Sequence, residues 1–511
     1  MRMTNKIMQN NSLYNINNNK VLQDKLSTQM STQKKITRPS DDPVVAIRAL
    51  RLRTSVSELT QYYEKNAPDA ESWLTVTEKA LGTGAEVLTD MIKQATKAAN
   101  KDLGVEDLTI ITQQMKILRD EYYSTGNVDY AGRYVFTGYR TDTTLSFTGE
   151  VEDPSVKYDY TSITEPVKLG DFDKINYTDM SAVDGLNKSN YESYDTITEQ
   201  EITNCDIHRI RLAYDDLKNG VPKISYQSKD GAAVNVTVTV ASSTEAAYKQ
   251  IASSQGTDTV IFVPETGEIL FSDKAYDKLN SEATTDTEIN ITYGKDNWKD
   301  GDLRPEHYFA CEATVTKAGQ TEKKVFNKDA DVNSQIIEYD VGYNQKIRVN
   351  TLASEAFTHS IDRDIDDLES ALASLTEINS TVEDLKTLKK TLTEGTPEYE
   401  TVEQELAAAQ KAYDYVRENV HSMFERTITS TQNYLTETNV AVTENGARSS
   451  RLNLVSNRLM EQKTTFQTLQ SENEDADISE VAIQLTSTEL TYEAALMATG
   501  KIMQTSLMNY I

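Results

Sequence analysis

The sequence predicts a mainly helical protein with a β-rich region inserted between two helical ends. Of its 20 glycines, 14 lie between residues 126 and 342, and five of its nine prolines lie between residues 154 and 305. From residue 398 to the end there is no proline, and only Gly446 and Gly500 interrupt the chain. Because glycine and proline favour turns and disfavour helix interiors, we expect long helices at both ends and strands with turns in the middle.

Composition and charge exclude several classes of protein. The 511 residues are enough for roughly three domains. The 80 acidic and 52 basic residues give a net charge of −28, and a nucleic-acid partner is not expected because it requires a basic surface. There is no run of about 18 apolar residues, which argues against membrane insertion. The polar, Asn-rich N-terminus lacks the apolar stretch of a cleaved signal peptide.

The first helix is predicted to extend to about residue 33. Its apolar residues form a loose stripe that includes Ile7, Tyr14, Val21 and Leu26. A second helix is predicted to begin at Pro43, because aspartate is a favourable N-cap and proline suits the first helical position. The structural turn before this helix consists of Arg38, Pro39, Ser40, Asp41, Asp42 and Pro43.

Further helices are predicted from apolar residues spaced three and four apart. Residues 68–100 and 106–124 each carry such a stripe, and so do both arms of a segment between residues 361 and 440. The sequence Glu394-Gly395-Thr396-Pro397 interrupts this last segment. It therefore predicts an antiparallel helical hairpin near residues 377–410.

Alternating apolar residues in the middle of the chain predict strands. Residues 224–240 alternate on both sides of Asp230-Gly231, which is a hairpin pattern. Residues 260–271 predict a second hairpin, residues 289–293 a further strand, and residues 336–349 a final strand pair. One or two β-rich domains are therefore expected here.

The C-terminal segment has a heptad pattern. Apolar or small residues recur from residue 478 onward at the spacing of a coiled-coil seam, on a helix about 45 Å long. Residues 1–53 hold ten basic and three acidic residues, and residues 451–511 hold four basic and eight acidic residues. These opposite net charges, +7 and −4, favour side-by-side packing of the two ends. The predicted seam, which would also contact neighbouring subunits, consists of Ile7, Tyr14, Val21, Leu26, Ile478, Val481, Leu485, Tyr492, Leu496 and Ile502.

The sequence contains little that is typical of a catalytic or metal site. Cys205 and His208 lie three residues apart, but no second pair has the spacing of zinc ligands. In residues 296–307, a tryptophan and a histidine stand where a calcium loop needs oxygen ligands. The acidic cluster at residues 362–367 is typical of a helix start. No catalytic residue, cofactor or metal site is predicted, and the protein is not expected to be an enzyme.

Four stretches of the sequence are distinctive in combination. They are residues 1–11 leading into RPSDDP at 38–43, GRYVFTGY at 132–139, Arg451-Leu452-Asn453 with Asp475-Ala476-Asp477-Ile478, and the ending SLMNYI at 506–511. Together they resemble the bacterial flagellin family and, within it, its members at the hook–filament junction. The similarity is strongest over residues 1–145 and 430–511.

This resemblance implies a flagellin-like architecture in three parts. Residues 1–45 and 470–511 would form an inner pair of long antiparallel, coiled-coil-like helices that lines the export channel. Residues 46–145 with 350–469 would form a helical shaft domain that includes the helical hairpin. Residues 146–349 would form one or more outer β-rich domains.

The resemblance also implies a function. A junction member is a structural adaptor that joins the hook, through the preceding hook-associated protein, to the flagellin filament by helix–helix packing between subunits. The implied partners are further copies of the chain in a ring, the preceding hook-associated protein, flagellin, the flagellar type III export apparatus and an export chaperone. The implied location is extracellular, in the flagellum, after export without a cleaved signal peptide. Two alternatives stay open: a flagellin filament subunit, and a glycan-binding or enzymatic module in the middle region.

Overall fold

The computed structural model describes residues 5–193, 197–317, 319–327 and 334–507. The helices are α1 (Asn5–Thr32), α2 (Pro43–Gln61), α3 (Ala67–Ala98), α4 (Val105–Thr125), α5 (Thr244–Ser253), α6 (Asp273–Glu282), α7 (Ala353–Ala356), α8 (Ser360–Thr391), α9 (Pro397–Glu474) and α10 (Ile478–Leu507). The strands are β1 (Asp129–Tyr130), β2 (Arg133–Tyr134), β3 (Val156–Val167), β4 (Asp173–Asp179), β5 (Thr203–Arg211), β6 (Lys223–Gln227), β7 (Ala233–Val236), β8 (Thr239–Val240), β9 (Val260–Val263), β10 (Glu268–Phe271), β11 (Ile289–Lys295), β12 (Ala310–Lys317), β13 (Gln320–Phe326), β14 (Glu338–Gly342) and β15 (Gln345–Arg348).

The chain forms two compact units. The terminal unit consists of residues 1–71, 339–347 and 450–511, and the central unit consists of residues 72–338 and 348–449. The predicted fold class is confirmed, because long helices occupy both ends and the strands β1–β13 all lie in the central unit. The three-part domain division stays a prediction.

The helices that the sequence predicts are present in the structure, but not all of them have the predicted length. The segments predicted at 68–100 and 106–124 form α3 and α4, and the predicted helical hairpin is formed by α8 and α9. The turn between α8 and α9 includes Gly395, whose φ of +86° is a conformation that suits glycine. Helix α9 has 78 residues and is longer than the predicted arm, since no proline follows its first residue.

Two sheets form the core of the central unit. The first has the strand order β13-β12-β3-β11-β6-β7, and the second has the order β4-β5-β10-β9-β8. Ile163 and Ile291 from the first sheet share one hydrophobic core with Phe262 and Phe271 from the second. On the other side of the second sheet, alternate residues such as Ile261 pack in a smaller cluster that includes residues of α5. Every residue of β9 and β10 is therefore buried, which explains why these strands are apolar without alternation.

The predicted hairpins are present, with one correction. In the first hairpin, Ile224 pairs with Val236 and Tyr226 pairs with Val234. The expected continuation of this strand to Val240 is wrong. The strand ends at Val236, because Thr239 and Val240 leave it to form β8 in the other sheet, parallel to β9.

Buried ion pairs join α8 to the second sheet. Arg211 Nη1 lies 2.7 Å from Asp364 Oδ1, and Arg209 Nη1 donates to Asp367 Oδ1 at 3.1 Å. Asp362 lies in the first turn of α8, as expected for a carboxylate at a helix start. Asp364 and Asp367 of the same acidic cluster have a different role, because they neutralise arginines of β5.

Candidate subunit interface

Helices α1 and α10 form the antiparallel terminal pair that the sequence predicts. At one end of the pair, the segment that follows α1 meets the segment that precedes α10. There Lys34 and Asp475 form an antiparallel bridge, and the Lys35 amide donates to the Glu474 carbonyl at 2.7 Å. Farther along the pair, Gln23 Nε2 donates to Glu489 Oε1 at 3.5 Å. The two helices thus leave a common junction and pack along their length.

A buried carboxylate organises this junction. Glu474, only 2% exposed, accepts hydrogen bonds from Arg53 Nε at 2.8 Å and Arg53 Nη2 at 2.6 Å. Lys34 Nζ lies 3.7 Å from the same carboxylate, and its hydrogen bond to Asp475 lowers the pKa of Asp475. Because an unpaired buried carboxylate is costly, these contacts hold α2 and the segment that follows α1 to the end of α9.

The Arg38–Pro43 turn sets the direction of α2. Asp41 Oδ2 accepts from the amides of Thr37 at 3.2 Å and Arg38 at 3.0 Å, and these bonds lower the pKa of Asp41. Asp42 Oδ1 accepts from the amides of residues 44 and 45 at 3.0 and 3.1 Å. Asp42 is therefore the predicted N-cap of α2, with proline at the first helical position.

Replacing Asp42 by alanine is expected to destabilise the first turn of α2 by about 1 kcal/mol, because two amides lose their acceptor. Hydrogen exchange at Val44 and Val45 should accelerate several-fold. Asp42→Asn is the matched control, since asparagine caps nearly as well and should leave exchange almost unchanged. Equal acceleration in both variants would contradict this role of the cap.

One face of α10 packs against α1, and we call it the inner seam. Val481, Thr488 and Thr499 are buried, and Leu485 and Tyr492 are partly buried. On α1, Leu26 is buried and Met8 and Ile16 are partly buried, but the other partly buried positions of the same face are polar: Gln9, Ser12, Asn19 and Gln23. The pair is therefore held by a seam with few large apolar side chains.

The predicted seam residues do not all lie on this face. Leu26, Val481, Leu485 and Tyr492 do, as the inner seam requires. The side chain of Ile502 lies outside the part of the chain whose side chains the structure describes. The remaining predicted residues, Ile7, Tyr14, Val21, Ile478 and Leu496, are exposed.

A second apolar stripe lies on the opposite side of α10, and we call it the outer stripe. Ile483, Leu490 and Met497 recur every seven residues and are 71%, 70% and 66% exposed. Ile483 and Leu490 lie two positions after the inner-seam residues Val481 and Thr488, and Met497 lies two positions after the partly buried Ala495. Two positions on a helix correspond to a rotation of about 200°. By the same geometry, Tyr14 and Val21 lie on the side of α1 that faces away from α10. Both stripes have a period of seven in the sequence, so the spacing alone does not show which of them faces α1.

Exposed apolar side chains are concentrated in the terminal unit. Most of the large exposed hydrophobic residues among the described residues belong to it, although it is the smaller unit. Its buried residues are few and several are alanines, such as Ala46 and Ala49 on α2. Exposed apolar patches of this kind mark surfaces that bind another protein.

The geometry gives little support for a metal site at the residues that the sequence offers. Cys205 and His208 lie an odd number of positions apart on β5, so their side chains point to opposite faces of the sheet. The His208 ring stacks on Tyr276 at 3.9 Å, and burial lowers the pKa of this histidine. Among the residues that the structure describes, no group of three or more His, Cys, Asp or Glu side chains is placed to hold a metal ion. Within the same residues, the helices lack the combination of length and apolarity that crossing a membrane requires.

Solved structures of related proteins overlap the chain only loosely. The Xanthomonas campestris protein FlgL is 12% identical with a TM-score of 0.27, covering 83% of this chain and 99% of that chain. The flagellar junction protein FlgL of Legionella pneumophila is 11% identical with a TM-score of 0.26, covering 80% and 99%. At these values the overlap carries no argument about arrangement or function.

Sequence comparison is more specific. Residues 3–141 match the family described as the bacterial flagellin N-terminal helical region. Flagellar hook-associated protein 3 of Salmonella typhimurium is 29% identical over 143 residues, and that of Escherichia coli is 28% identical over 144 residues. Each alignment covers 28% of this chain and 45% of the relative, so the chain spans less than half the length of the curated relatives it matches. The resemblance to the flagellin family is thereby confirmed: the chain carries the N-terminal helical region of that family and is similar to flagellar hook-associated protein 3.

Proposed function

We propose that this chain is a structural, non-enzymatic subunit of the bacterial flagellum. In this role it is an adaptor that joins the hook, through the preceding hook-associated protein, to the flagellin filament. The observation that carries the proposal is the outer stripe of α10, Ile483, Leu490 and Met497, exposed on a helix that already has an intramolecular partner on its other side. A monomer has no use for such a stripe, whereas an assembled subunit buries it.

The energetics favour assembly as the purpose of this surface. Full burial of a leucine, isoleucine or methionine side chain contributes about 1.5–3 kcal/mol. Three such residues on α10, together with Tyr14 and Val21 on α1, would contribute several kcal/mol for each subunit when a neighbouring subunit covers them. The seven-residue spacing also suits a helix of a neighbouring subunit, because knobs at that period fit along one helix face.

The partners and location follow from the same proposal. Copies of the chain would form a ring through their terminal units, with the preceding hook-associated protein on one side and flagellin on the other. The chain would leave the cell through the flagellar type III export apparatus, accompanied before export by a chaperone, and would act outside the cell. We also propose the division into residues 1–45 with 470–511, 46–145 with 350–469, and 146–349.

The outer stripe is tested by charge substitutions on α10. We expect Leu490→Asp to abolish filament attachment in a complemented deletion strain, because burying an unpaired carboxylate costs several kcal/mol. Gln484→Asp is the matched control, since Gln484 is exposed on a lateral face of the same helix and should be tolerated.

A third substitution separates the outer stripe from the inner seam. Leu485→Asp should also abolish attachment, but by opening the α1–α10 pair, which hydrogen exchange of the purified full chain, compared with the parent, would reveal. Leu490→Asp should leave this pair intact. If Leu490→Asp and Gln484→Asp both restored filaments fully, the outer stripe would have no part in assembly.

A deletion strain distinguishes the adaptor from a filament subunit. Loss of an adaptor leaves intact hooks while flagellin is secreted into the medium. Loss of a filament subunit removes the filament itself, and no flagellin then appears in the medium. Electron microscopy of the hooks and immunoblotting of the medium with anti-flagellin serum separate the two outcomes.

A further inference from the structure

The central unit contains a cleft that the proposed function does not use. It has a volume of about 390 Å³ and is lined by β4, β5 and α5 on one side and by α8 and α9 on the other. Apolar side chains form much of its wall, among them Ile175, Ala371, Ile378 and Met423. A concave apolar site of this size is typical of small-molecule binding.

The charges around the cleft are strongly one-sided. Among the described lining residues, Arg209 is the single cationic side chain, and it is paired with Glu268 and Asp367, which line the cleft as well, and with Asp173. No cationic group there is left to attract an anion. The site therefore disfavours phosphates, carboxylates and other anionic ligands.

Three further carboxylates stand at the mouth of the cleft. Asp184, Glu245 and Glu377 line it from a loop, from α5 and from α8, and all three are exposed. Partial burial, the Asp184 carboxylate and the Glu245 carboxylate together raise the pKa of Glu377. Like charges held together in this way are relieved by a cation.

Aromatic side chains lie beside these carboxylates. Tyr177 and Tyr248 both line the cleft and stack on each other, with ring centroids 5.3 Å apart and ring planes at 26°. The faces of aromatic rings attract ammonium groups, most strongly where water is partly excluded. An ammonium head would thus find ring faces and carboxylates at the same place, next to an apolar interior.

We propose that this cleft binds a small organic cation with an apolar body, such as an aryl-alkyl amine. The carboxylates of Asp184, Glu245 and Glu377 attract the ammonium group at the mouth, and Tyr177 and Tyr248 offer it ring faces. The apolar body lies against Ile175, Ala371 and Ile378. The charged and the apolar parts of the ligand therefore each contact residues of complementary chemistry.

The test uses three probes of similar shape and different charge on the full chain. They are phenethylamine, 2-phenylethanol and 3-phenylpropionate, titrated calorimetrically at low salt. We expect the amine to bind at least ten-fold more tightly than the alcohol, the carboxylate not to bind, and the preference for the amine to weaken as salt rises. Equal affinity for the amine and the alcohol, or no binding of the amine, would overturn the proposal.

Three variants test whether the amine binds in this cleft. Glu377→Gln should reduce amine affinity several-fold without affecting the alcohol, and its exposed position leaves the fold intact. Glu383→Gln, an exposed glutamate on the same helix that does not line the cleft, should change neither. Ala371→Trp fills the cleft and should remove binding of both probes. Amine binding that is unchanged in both Glu377→Gln and Ala371→Trp would assign it to another surface.

Discussion

Replacing Arg209 by leucine is expected to destabilise the central unit by about 3–5 kcal/mol, the usual effect of removing one partner from a buried ionic cluster. Arg209 is 3% exposed and lies within ion-pair distance of Asp173, Glu268 and Asp367. Without it, the buried carboxylate of Glu268 and the partly buried carboxylates of Asp173 and Asp367 face each other with less compensation. Burial disfavours the charged form of Asp367, yet Arg209 and Arg211 hold the pKa of this carboxyl below its usual value.

Denaturant unfolding monitored by hydrogen exchange in β5 and α8 measures this effect. Arg426→Leu is the matched control, because Arg426 is 46% exposed and its nearest charge, Asp173, is 3.7 Å away. That exposed pair should contribute no more than about 1 kcal/mol. A variant in which Arg209→Leu is accompanied by Glu268→Gln and Asp367→Asn should recover part of the loss. Similar stabilities for Arg209→Leu and Arg426→Leu would show that the cluster is not what joins α8 to the sheet.

Glu405 is expected to make the helical hairpin more stable in acid than at alkaline pH. This residue of α9 is fully buried, and neither carboxylate oxygen has a hydrogen-bond partner among the described residues. Burial raises its pKa from 4.5 to about 7. Because the folded pKa lies above the unfolded one, stability should fall as the pH rises from 4.5 to about 7 and change little beyond. The full loss is about 3 kcal/mol, at about 1.4 kcal/mol for each pKa unit.

Glu405→Gln tests this directly, because the amide is similar in shape and cannot ionise. At pH 8 the variant should be more stable than the parent by up to about 3 kcal/mol, and the difference should vanish near pH 4.5. Hydrogen exchange in α8 and the first turns of α9 reports the local stability, and Glu403→Gln, at an exposed site two residues away, is the control. A parent–variant difference that stayed constant between pH 5 and pH 8 would refute the assignment.

Much of the fold could be predicted from local patterns. Glycine and proline placement separated helical ends from a β-rich middle, and the cap at Asp42, the turn at Gly395 and the hairpin around Gly231 were all recognisable. These features depend on the backbone preferences of a few adjacent residues, so a short stretch of sequence contains all the information they need. The recurrence of seven in α10 likewise depends only on helix geometry.

The tertiary structure decided which side chains face each other. Two stripes of the same period run along α10, and only packing against α1 shows that Val481 faces inward while Ile483 is exposed. The role of Asp367 depends on Arg209, which is 158 residues away in the chain, and no local pattern relates the two. The burial of Glu405 likewise cannot be predicted from the residues around it in α9. By itself the sequence determined the helices, strands and turns of this protein, since these follow from local conformational preference. Which faces are buried, which charges pair and which apolar stripe stays exposed depend on contacts between distant segments, and those exist only in the folded chain.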